Sequence, residues 1–402
     1  MRFKDNGKFN DVYGKTYVGA NLIQGQACYE GKPFFSQNPA NPGDRVGVFP
    51  EASSEALESA CTAALQALKP WQQLLPSQAE LFQANMALLL EAQQNSLASL
   101  LTRETGMVWT QSQALLTALR TALAQKSFTD PAANHERDLP AARALISPSF
   151  LPGALPLNDI LAALLAGHSL VWKVWDQVPT FAYVFAQLMK QAGLPPGVLN
   201  LIHGSEAVES ELQRQIESGR LAPLACVPVS ANPAKAQIVS HESDLEQAVN
   251  TALQALISPE PQRGSHNVVL EAKIAEAFKT RLLRRLQNVK LGDPNLDHKV
   301  HCGPLSDSLS LKMFLAHLNW GKSDGAQLLS GKGRLSRESK PDNFIGDPDA
   351  GYFVWPAIWD QLKPGMKLAI NPVCGPSLRL FTVADQSAAV ALGVELGLSK
   401  PS

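Results

Sequence analysis

The pattern of hydrophobic and polar positions along the chain changes at Ala141. Beyond it, short apolar stretches alternate with longer stretches of helical spacing, and Gly or Pro stands at the junctions. In chain order these are ALISPS, LPLNDILAALLAG, HSLVWKVW, PTFAYVFAQLMKQAG and GVLNLIHG, and the first, third and fifth have the pattern of strands. Two consecutive strand–helix–strand units predict a parallel sheet with helices packed over it.

The pattern on either side of this region predicts further elements. Residues up to about Pro50 are rich in Gly, Asn and Pro, which is typical of short strands and turns. Helical spacing predicts one helix from Ser54 and a second from Ser77, where Ser77 and Glu80 form a capping box. Residues 267–286 predict another strand followed by a helix, and residues 330–351, dense in Gly, Ser, Lys and Asp, predict an exposed loop.

The composition is that of an ordinary globular protein. The chain of 402 residues is 45% hydrophobic and 18% charged, and its 35 basic residues almost balance its 36 acidic ones. This balance argues against a nucleic-acid or anionic-membrane partner. The N-terminus, MRFKDNGKFN, lacks the apolar run of a secretory signal, and no stretch is long enough to cross a bilayer, so we expect a cytoplasmic protein.

Cysteine usage argues against a disulfide framework and a metal site. The chain has an odd number of cysteines, they are spread over its whole length, and no CxxC pair or His-rich cluster accompanies them. They are Cys28, Cys61, Cys226, Cys302 and Cys374. We therefore expect free thiols and no bound metal.

A set of short motifs gives the chain a family resemblance. In order they are NPANPGDRVGVFPEAS, RETG, AGLPPGVLNLIHG, LGDP, CGPL, GYFVWPAI and CGPSLRLF. Their order and spacing resemble the successive landmarks of the aldehyde dehydrogenase superfamily. Within it, PSFLPGALPLNDI (148–160) and ALISPEPQRG (255–264) most resemble the corresponding segments of succinylglutamate semialdehyde dehydrogenase.

The resemblance implies an α/β fold with three-layer parallel sheets. Residues 1–229 would form N-terminal strands, helices and a degenerate Rossmann-type nucleotide-binding domain. Residues 230–402 would form a catalytic-type α/β domain. The chain stops at GLSKPS, where the family's YGLxAG motif would continue, which implies a partly truncated catalytic domain.

The nucleophile that the family needs is missing from the matching segment. Family members attack the aldehyde with a cysteine thiolate, and the adduct then gives hydride to the nicotinamide. Here the corresponding position falls on Gly264 or Gln262, depending on which flanking residues are matched. The adjacent Ser265 is much less ionised than a thiol near neutral pH, so we interpret it as a turn or strand-entry serine. Cys374 is the substitute nucleophile to test, although a small buried cysteine is the favoured interpretation.

Two further catalytic groups are replaced. The glutamate that acts as general base in the family corresponds to Ser230. The asparagine that donates to the oxyanion corresponds to Phe150, whose ring cannot donate a hydrogen bond. Three independent replacements predict that no catalytic residue of the family mechanism remains.

The cofactor site implied by the resemblance is degenerate. Lys173 and Asp176 match the lysine and acid that hold the adenosine ribose, so they are the candidate remnant of an NAD or NADP site. The alternative is a surface lysine and a helix N-cap aspartate ahead of Pro179. The stretch between Gly204 and Val229 is too short for the family's pyrophosphate-binding strand, turn and helix, and Pro372 replaces the acid that contacts the nicotinamide ribose.

The resulting hypothesis is a catalytically inactive homologue, a pseudoenzyme, with a binding, scaffolding or regulatory role. Its partner would be an active paralogue or a second copy of itself. The alternative is a divergent NAD(P)-dependent oxidoreductase that acts on an aldehyde such as a semialdehyde. A decayed gene product without a selected role is the third possibility, and it predicts a protein that does not melt cooperatively.

Overall fold

The computed structural model describes residues 14–128, 141–147, 155–224, 236–257, 266–371 and 375–396. These residues divide into two compact units. The first draws on residues 1–38, 42–105 and 109–227, and the second on residues 39–41, 106–108 and 228–402. Each unit has its own sheets and cores.

The first unit opens with a small sheet and two helices. The sheet contains β1 (Tyr17–Val18), β4 (Pro33–Asn38) and β5 (Asn41–Pro50), with β5 in the middle and parallel to β1. Helix α1 (Ser54–Thr105) and helix α2 (Trp109–Gln125) then pack against each other.

Helix α1 corrects the prediction of two separate helices. It runs continuously through Pro70 and Pro76. Ser77 Oγ donates to the carbonyl oxygen of Leu74 at 2.9 Å, so the hydroxyl bonds backward inside the helix instead of capping a new one. The buried Trp71 anchors the same stretch, because its Nε1 donates to the carbonyl oxygen of Leu164 at 2.8 Å.

A six-stranded sheet confirms the parallel sheet predicted beyond Ala141. Its strands, in spatial order, are β3 (Gln26–Cys28), β2 (Asn21–Ile23), β8 (Leu199–Ile202), β7 (Ser169–Lys173), β6 (Ala142–Ile146) and β9 (Ala222–Pro223). Strands β6 to β9 are mutually parallel, whereas β2 lies antiparallel on β8. The connecting helices are α3 (Leu157–Leu165), α4 (Pro179–Gln191) and α5 (Glu206–Glu217). Every residue of β7 and β8 is buried, as expected for central strands of a sheet covered on both faces.

The second unit is built on a five-stranded sheet. In spatial order its strands are β10 (Ala236–Val239), β11 (His266–Glu271), β14 (Ser377–Val383), β13 (Ala357–Asp360) and β12 (Gln327–Ser330), and only β12 pairs antiparallel. Its helices are α6 (Leu245–Ile257), α7 (Ala272–Leu286), α8 (Ser308–Ser323), α9 (Lys367–Ile370) and α10 (Gln386–Glu395). Strand β11 followed by α7 confirms the strand and helix predicted for residues 267–286.

Alternating residues of β11 face two different cores. Val268 and Leu270 pack with residues of α6 and α7. Val269 packs with residues of α8 and α9 on the opposite face. This alternation is the two-residue period of a strand that is covered on both sides.

The predicted loop at residues 330–351 is a loop that is partly buried. Between β12 and β13 the chain forms turns and isolated bridges, but Leu335 and Phe344 are buried in the core beneath it. Arg337 pairs with Asp347 on the exposed side. The prediction of an exposed loop was therefore wrong at Leu335 and Phe344.

The described helices include none with the combination of length and apolarity that a membrane crossing demands. Cys28, Cys61 and Cys302 are free thiols, while Cys226 and Cys374 lie outside the described residues. In the part of the chain that the structure describes, no group of three or more His, Cys, Asp or Glu side chains is placed to hold a metal ion.

Candidate functional site

The parallel strands of the first unit define where a ligand would bind. The four parallel strands lie in the spatial order β8, β7, β6, β9. Counted along the chain from β6, this is the order 3-2-1-4. This is the order of a doubly wound nucleotide-binding sheet, in which ligands bind outside the carboxyl ends of the strands, beside the point where the order reverses. That point lies between β6 and β9. The segments that follow these strands, 148–154 and 225–235, lie outside the described residues, so the described part of the site is the carboxyl edge of β7 and β8.

Lys173 is the last residue of β7 and a buried cation. Only 3% of the residue is exposed, and its Nζ lies 3.2 Å from Asp176 Oδ1 and 3.7 Å from Glu209 Oε2. Burying an ammonium group is costly unless carboxylates compensate its charge. The structure therefore brings together the two residues predicted from sequence and adds a third, Glu209.

The alternative interpretation of this pair is wrong. Lys173 is buried and is not a surface lysine. The N-cap of α4 is Val178, and no side chain caps that helix end by a hydrogen bond. Burial raises the pKa of Asp176 despite the opposing effect of Lys173, and the nearby Glu209 and Glu51 raise it further. Asp176 is thus a half-buried carboxyl in an acidic surrounding.

Glu209 was missed by sequence reasoning, which saw α5 only as a helix. The chain turns from β8 into α5 through Gly204, whose φ is +148° and where a Cβ would lie 2.4 Å from the Val208 side chain. Only glycine fits such a turn without strain. The turn places the first turn of α5 beside the end of β7. The sequence signal that could have identified Glu209 is the presence of acidic residues in the first turn of this helix.

His203 adds a neutral ring to this edge. It follows β8, is buried, and packs against Phe49, with the ring centroids 4.7 Å apart and the ring planes tilted by 35°. Its backbone N–H donates to Asn21 Oδ1 at 2.7 Å. Burial lowers its pKa to about 3, and the nearby charge of Lys173 acts in the same direction. The imidazole is therefore uncharged near neutral pH, and Lys173 is the buried cation of this edge.

The candidate catalytic positions, and the position matched to the acid at the nicotinamide ribose, lie outside the described residues. They are Phe150, Ser230, Gln262, Gly264, Ser265, Pro372 and Cys374. The C-terminal residues 397–402 do as well. The described part of the stretch between Gly204 and Val229 holds only α5 and the two-residue strand β9.

Arg379 stabilises the chain just ahead of one of these positions. It is buried in β14, and its Nη1 donates to the carbonyl oxygens of Leu368, Ala369 and Asn371 at 2.6, 3.0 and 3.2 Å. Burial lowers its pKa to about 10, which leaves it charged near neutral pH. A cation at carbonyl groups that end a helix is favourable, so Arg379 fixes the exit of α9.

The chain is similar to known proteins over most of its length. The sequence model of the family described as "Aldehyde dehydrogenase family" matches residues 27–219 and 230–399. The chain is similar to the alpha-ketoglutaric semialdehyde dehydrogenase of Bacillus subtilis, with 25% identity over 96% of this chain and 84% of that protein. It is also similar to malonate-semialdehyde dehydrogenase 3 of Geobacillus kaustophilus, with 26% identity over 94% of this chain and 82% of the relative.

Solved structures show the same fold. The structure of an aldehyde dehydrogenase from Bacillus cereus in complex with NAD+ superposes with a TM-score of 0.76 at 22% identity, and covers 94% of this chain and 82% of that one. Together with the family match over both units, this shows that the chain belongs to the aldehyde dehydrogenase family.

Proposed function

We propose that this protein binds a nicotinamide nucleotide through the edge that carries Lys173 but does not oxidise aldehydes by the family's thiolate chemistry. One observation carries the binding proposal. A buried lysine and a partly exposed carboxyl, Asp176, stand together at the carboxyl end of the second strand of a nucleotide-binding sheet. An acidic residue at this place is the group that accepts ribose hydroxyls in doubly wound folds.

The described residues fit the ribose of such a cofactor. Asp176 would accept a hydroxyl hydrogen, and Lys173 would donate to a hydroxyl oxygen. The carboxyl groups of Asp176, Glu209 and Glu51 lie near the proposed ribose position. Their negative charge would repel the additional phosphate on the ribose of NADP. NAD is therefore the preferred cofactor over NADP. When bound, such a cofactor supplies the hydride acceptor, whereas the residues named here only bind and orient it.

The inactivity proposal rests on residue chemistry at the family's catalytic positions. Gly264 or Gln262 occupies the position of the family's cysteine, Ser230 that of the general base and Phe150 that of the oxyanion donor. None of these side chains supplies the required group. A protein of this kind acts by binding, as a scaffold or regulator of an active paralogue or of its own copies.

A second candidate function has its own support. The curated relatives that match 96% and 94% of the chain are named as semialdehyde dehydrogenases. The chain would then be a divergent NAD(P)-dependent oxidoreductase with Cys374 as nucleophile. The resemblance to succinylglutamate semialdehyde dehydrogenase favours an aldehyde such as a semialdehyde as its substrate.

Thermal unfolding with added NAD tests the binding proposal. A ligand that binds only the folded state stabilises it, by about 2.7 kcal/mol at a hundredfold excess over Kd. We expect NAD to raise the Tm of the wild type in a concentration-dependent way and NADP to raise it less. Lys173→Met should abolish the shift, whereas Lys69→Met, at an exposed site on α1, should keep it. A wild-type Tm that does not respond to NAD contradicts the proposal.

A turnover assay separates the two candidate functions. With semialdehydes and NAD, the wild type should form no reduced cofactor. Formation of reduced cofactor that Cys374→Ala abolishes would establish the second function and overturn the proposed inactivity.

A further inference from the structure

The edge that carries Lys173 holds more acidic than basic groups. Lys173 supplies one ammonium group, whose Nζ lies 3.2 Å from Asp176 Oδ1 and 3.7 Å from Glu209 Oε2. Burial raises the pKa of Asp176 most, and the charges of Glu209 and Glu51 raise it further, whereas the charge of Lys173 lowers it. One ammonium group thus lies among three carboxyl groups.

The neighbouring polar groups do not supply the positive charge that a phosphate would need. Burial lowers the pKa of His203 to about 3, so its ring is neutral near neutral pH. The N-terminal end of α5 would attract an anion through the helix dipole, but its first turn carries two acids of its own, Glu206 and Glu209. These carboxylates oppose the phosphate that a helix end otherwise favours.

Glu209 acts on this edge through its charge. Its distance of 3.7 Å from Lys173 Nζ is too long for a hydrogen bond. Its side chain is 45% exposed, whereas that of Lys173 is 4% exposed, so the carboxylate lies between the buried ammonium group and solvent. A fixed charge beside a ligand changes the affinity for charged ligands and leaves the affinity for neutral ligands nearly unchanged.

We propose that Glu209 makes this edge select an uncharged ribonucleoside over the same nucleoside with a phosphate. The inference rests on the nucleotide-binding proposal above, and it names the part of the cofactor that the edge recognises. Lys173 and Asp176 offer a donor and an acceptor to the ribose hydroxyls. Glu209 repels phosphate groups, so NAD gains its affinity at this edge from a nucleoside part and not from its diphosphate.

Titration calorimetry with adenosine and with adenosine monophosphate tests the selection. The wild type should bind adenosine at least as tightly as the monophosphate. Glu209→Gln should bind the monophosphate about tenfold more tightly than the wild type does, because a like charge beside the ligand is removed. Its affinity for adenosine should stay within about twofold of the wild-type value. Low salt is needed, since screening weakens the effect.

Two control variants separate the charge of Glu209 from its shape and its position. Glu209→Asp keeps the charge and should keep the wild-type ratio of the two affinities. Glu217→Gln removes the same charge at the other end of α5, where the residue is exposed, and should also leave this ratio unchanged. An equal ratio in Glu209→Gln and Glu217→Gln overturns the role of Glu209.

The behaviour of the wild type distinguishes this inference from the nucleotide-binding proposal. If NAD raises the Tm but the protein binds the monophosphate more tightly than adenosine, nucleoside selection is overturned and nucleotide binding stands. If neither NAD nor adenosine binds, nucleotide binding itself is contradicted, and the selection with it.

Discussion

The RETG motif shows how single residues support the fold. Arg103 donates to both carboxylate oxygens of the buried Asp44, at 2.7 and 2.9 Å. The carboxyl of Glu104 accepts the backbone N–H groups of Thr180 at 2.8 Å and Phe181 at 2.7 Å, in the first turn of α4. Acceptors at a helix N-terminus satisfy donors that have no partner within the helix. These two residues of the motif are therefore structural.

Glu104 makes the folded protein less stable as pH rises, which is the opposite of the usual effect of a carboxyl group with a lowered pKa. Burial raises its pKa from 4.5 to about 7, although the hydrogen bonds from Thr180, Ser36 and Phe181 oppose the shift. The folded state then binds the proton more tightly than the unfolded state. The contribution of Glu104 to the free energy of unfolding is about 3 kcal/mol. It is fully present below pH 4.5 and is lost as the pH rises through 7.

The variant Glu104→Gln isolates this effect, because it keeps an acceptor oxygen but cannot titrate. The unfolding free energy of the wild type relative to this variant should fall by about 3 kcal/mol between pH 4.5 and pH values above 7. Urea unfolding at several pH values measures it, with the exposed Glu80→Gln as control. A difference that stays constant over this range would show that Glu104 keeps one protonation state.

At the scale of elements, one glycine sets how closely α8 packs on the sheet. A Cβ at Gly321 would lie 2.4 to 2.8 Å from ring atoms of Trp359 in β13. Trp359 is buried in the core, so its ring cannot move aside freely. The helix therefore approaches the strand at a distance that only glycine permits.

Gly321→Ala should destabilise the protein. Overpacking costs about 1–3 kcal/mol, which exceeds the gain of at most about 1 kcal/mol in helix propensity. Thermal or urea unfolding measures the balance. The matched control is Gly365→Ala, where a Cβ meets no atom within 4 Å, and its effect should stay within about 0.5 kcal/mol. Unchanged stability of Gly321→Ala would mean that the ring and helix relax together.

At the scale of the whole molecule, positive and negative charges almost cancel. The net charge is −1 at pH 7, and the isoelectric point of the sequence is about 6.7. A protein with almost no net charge has little electrostatic repulsion between its copies. We expect its solubility to be lowest near pH 6.7 and to rise on either side, as measured by the protein concentration that stays in solution at each pH. A minimum far from this pH would show that buried groups such as Glu104 shift the charge balance of the folded protein.

Local patterns in the sequence predicted the alternation of β6, α3, β7, α4 and β8, because helix and strand periods depend on neighbouring residues. Family motifs also identified Lys173 and Asp176, which the structure brings within 3.2 Å. The helix start predicted at Ser77 was wrong, because a serine hydroxyl can donate to a carbonyl oxygen of the preceding turn in a continuous helix as easily as it can cap a new helix.

The amino-acid sequence alone was enough to identify the family and the kinds of elements, because motifs and periodicities are local, and it predicts that nucleophile, base and oxyanion donor are replaced at the matching positions. The folded chain was needed to see that Lys173 is buried, that Glu209 lies beside it, that Leu335 and Phe344 are buried under a polar loop, and that Leu74, Leu81 and Leu88 of α1 stay exposed. These properties depend on which distant segments meet. Burial and charge pairing arise from contacts across the sheet and between elements, and no local pattern encodes them.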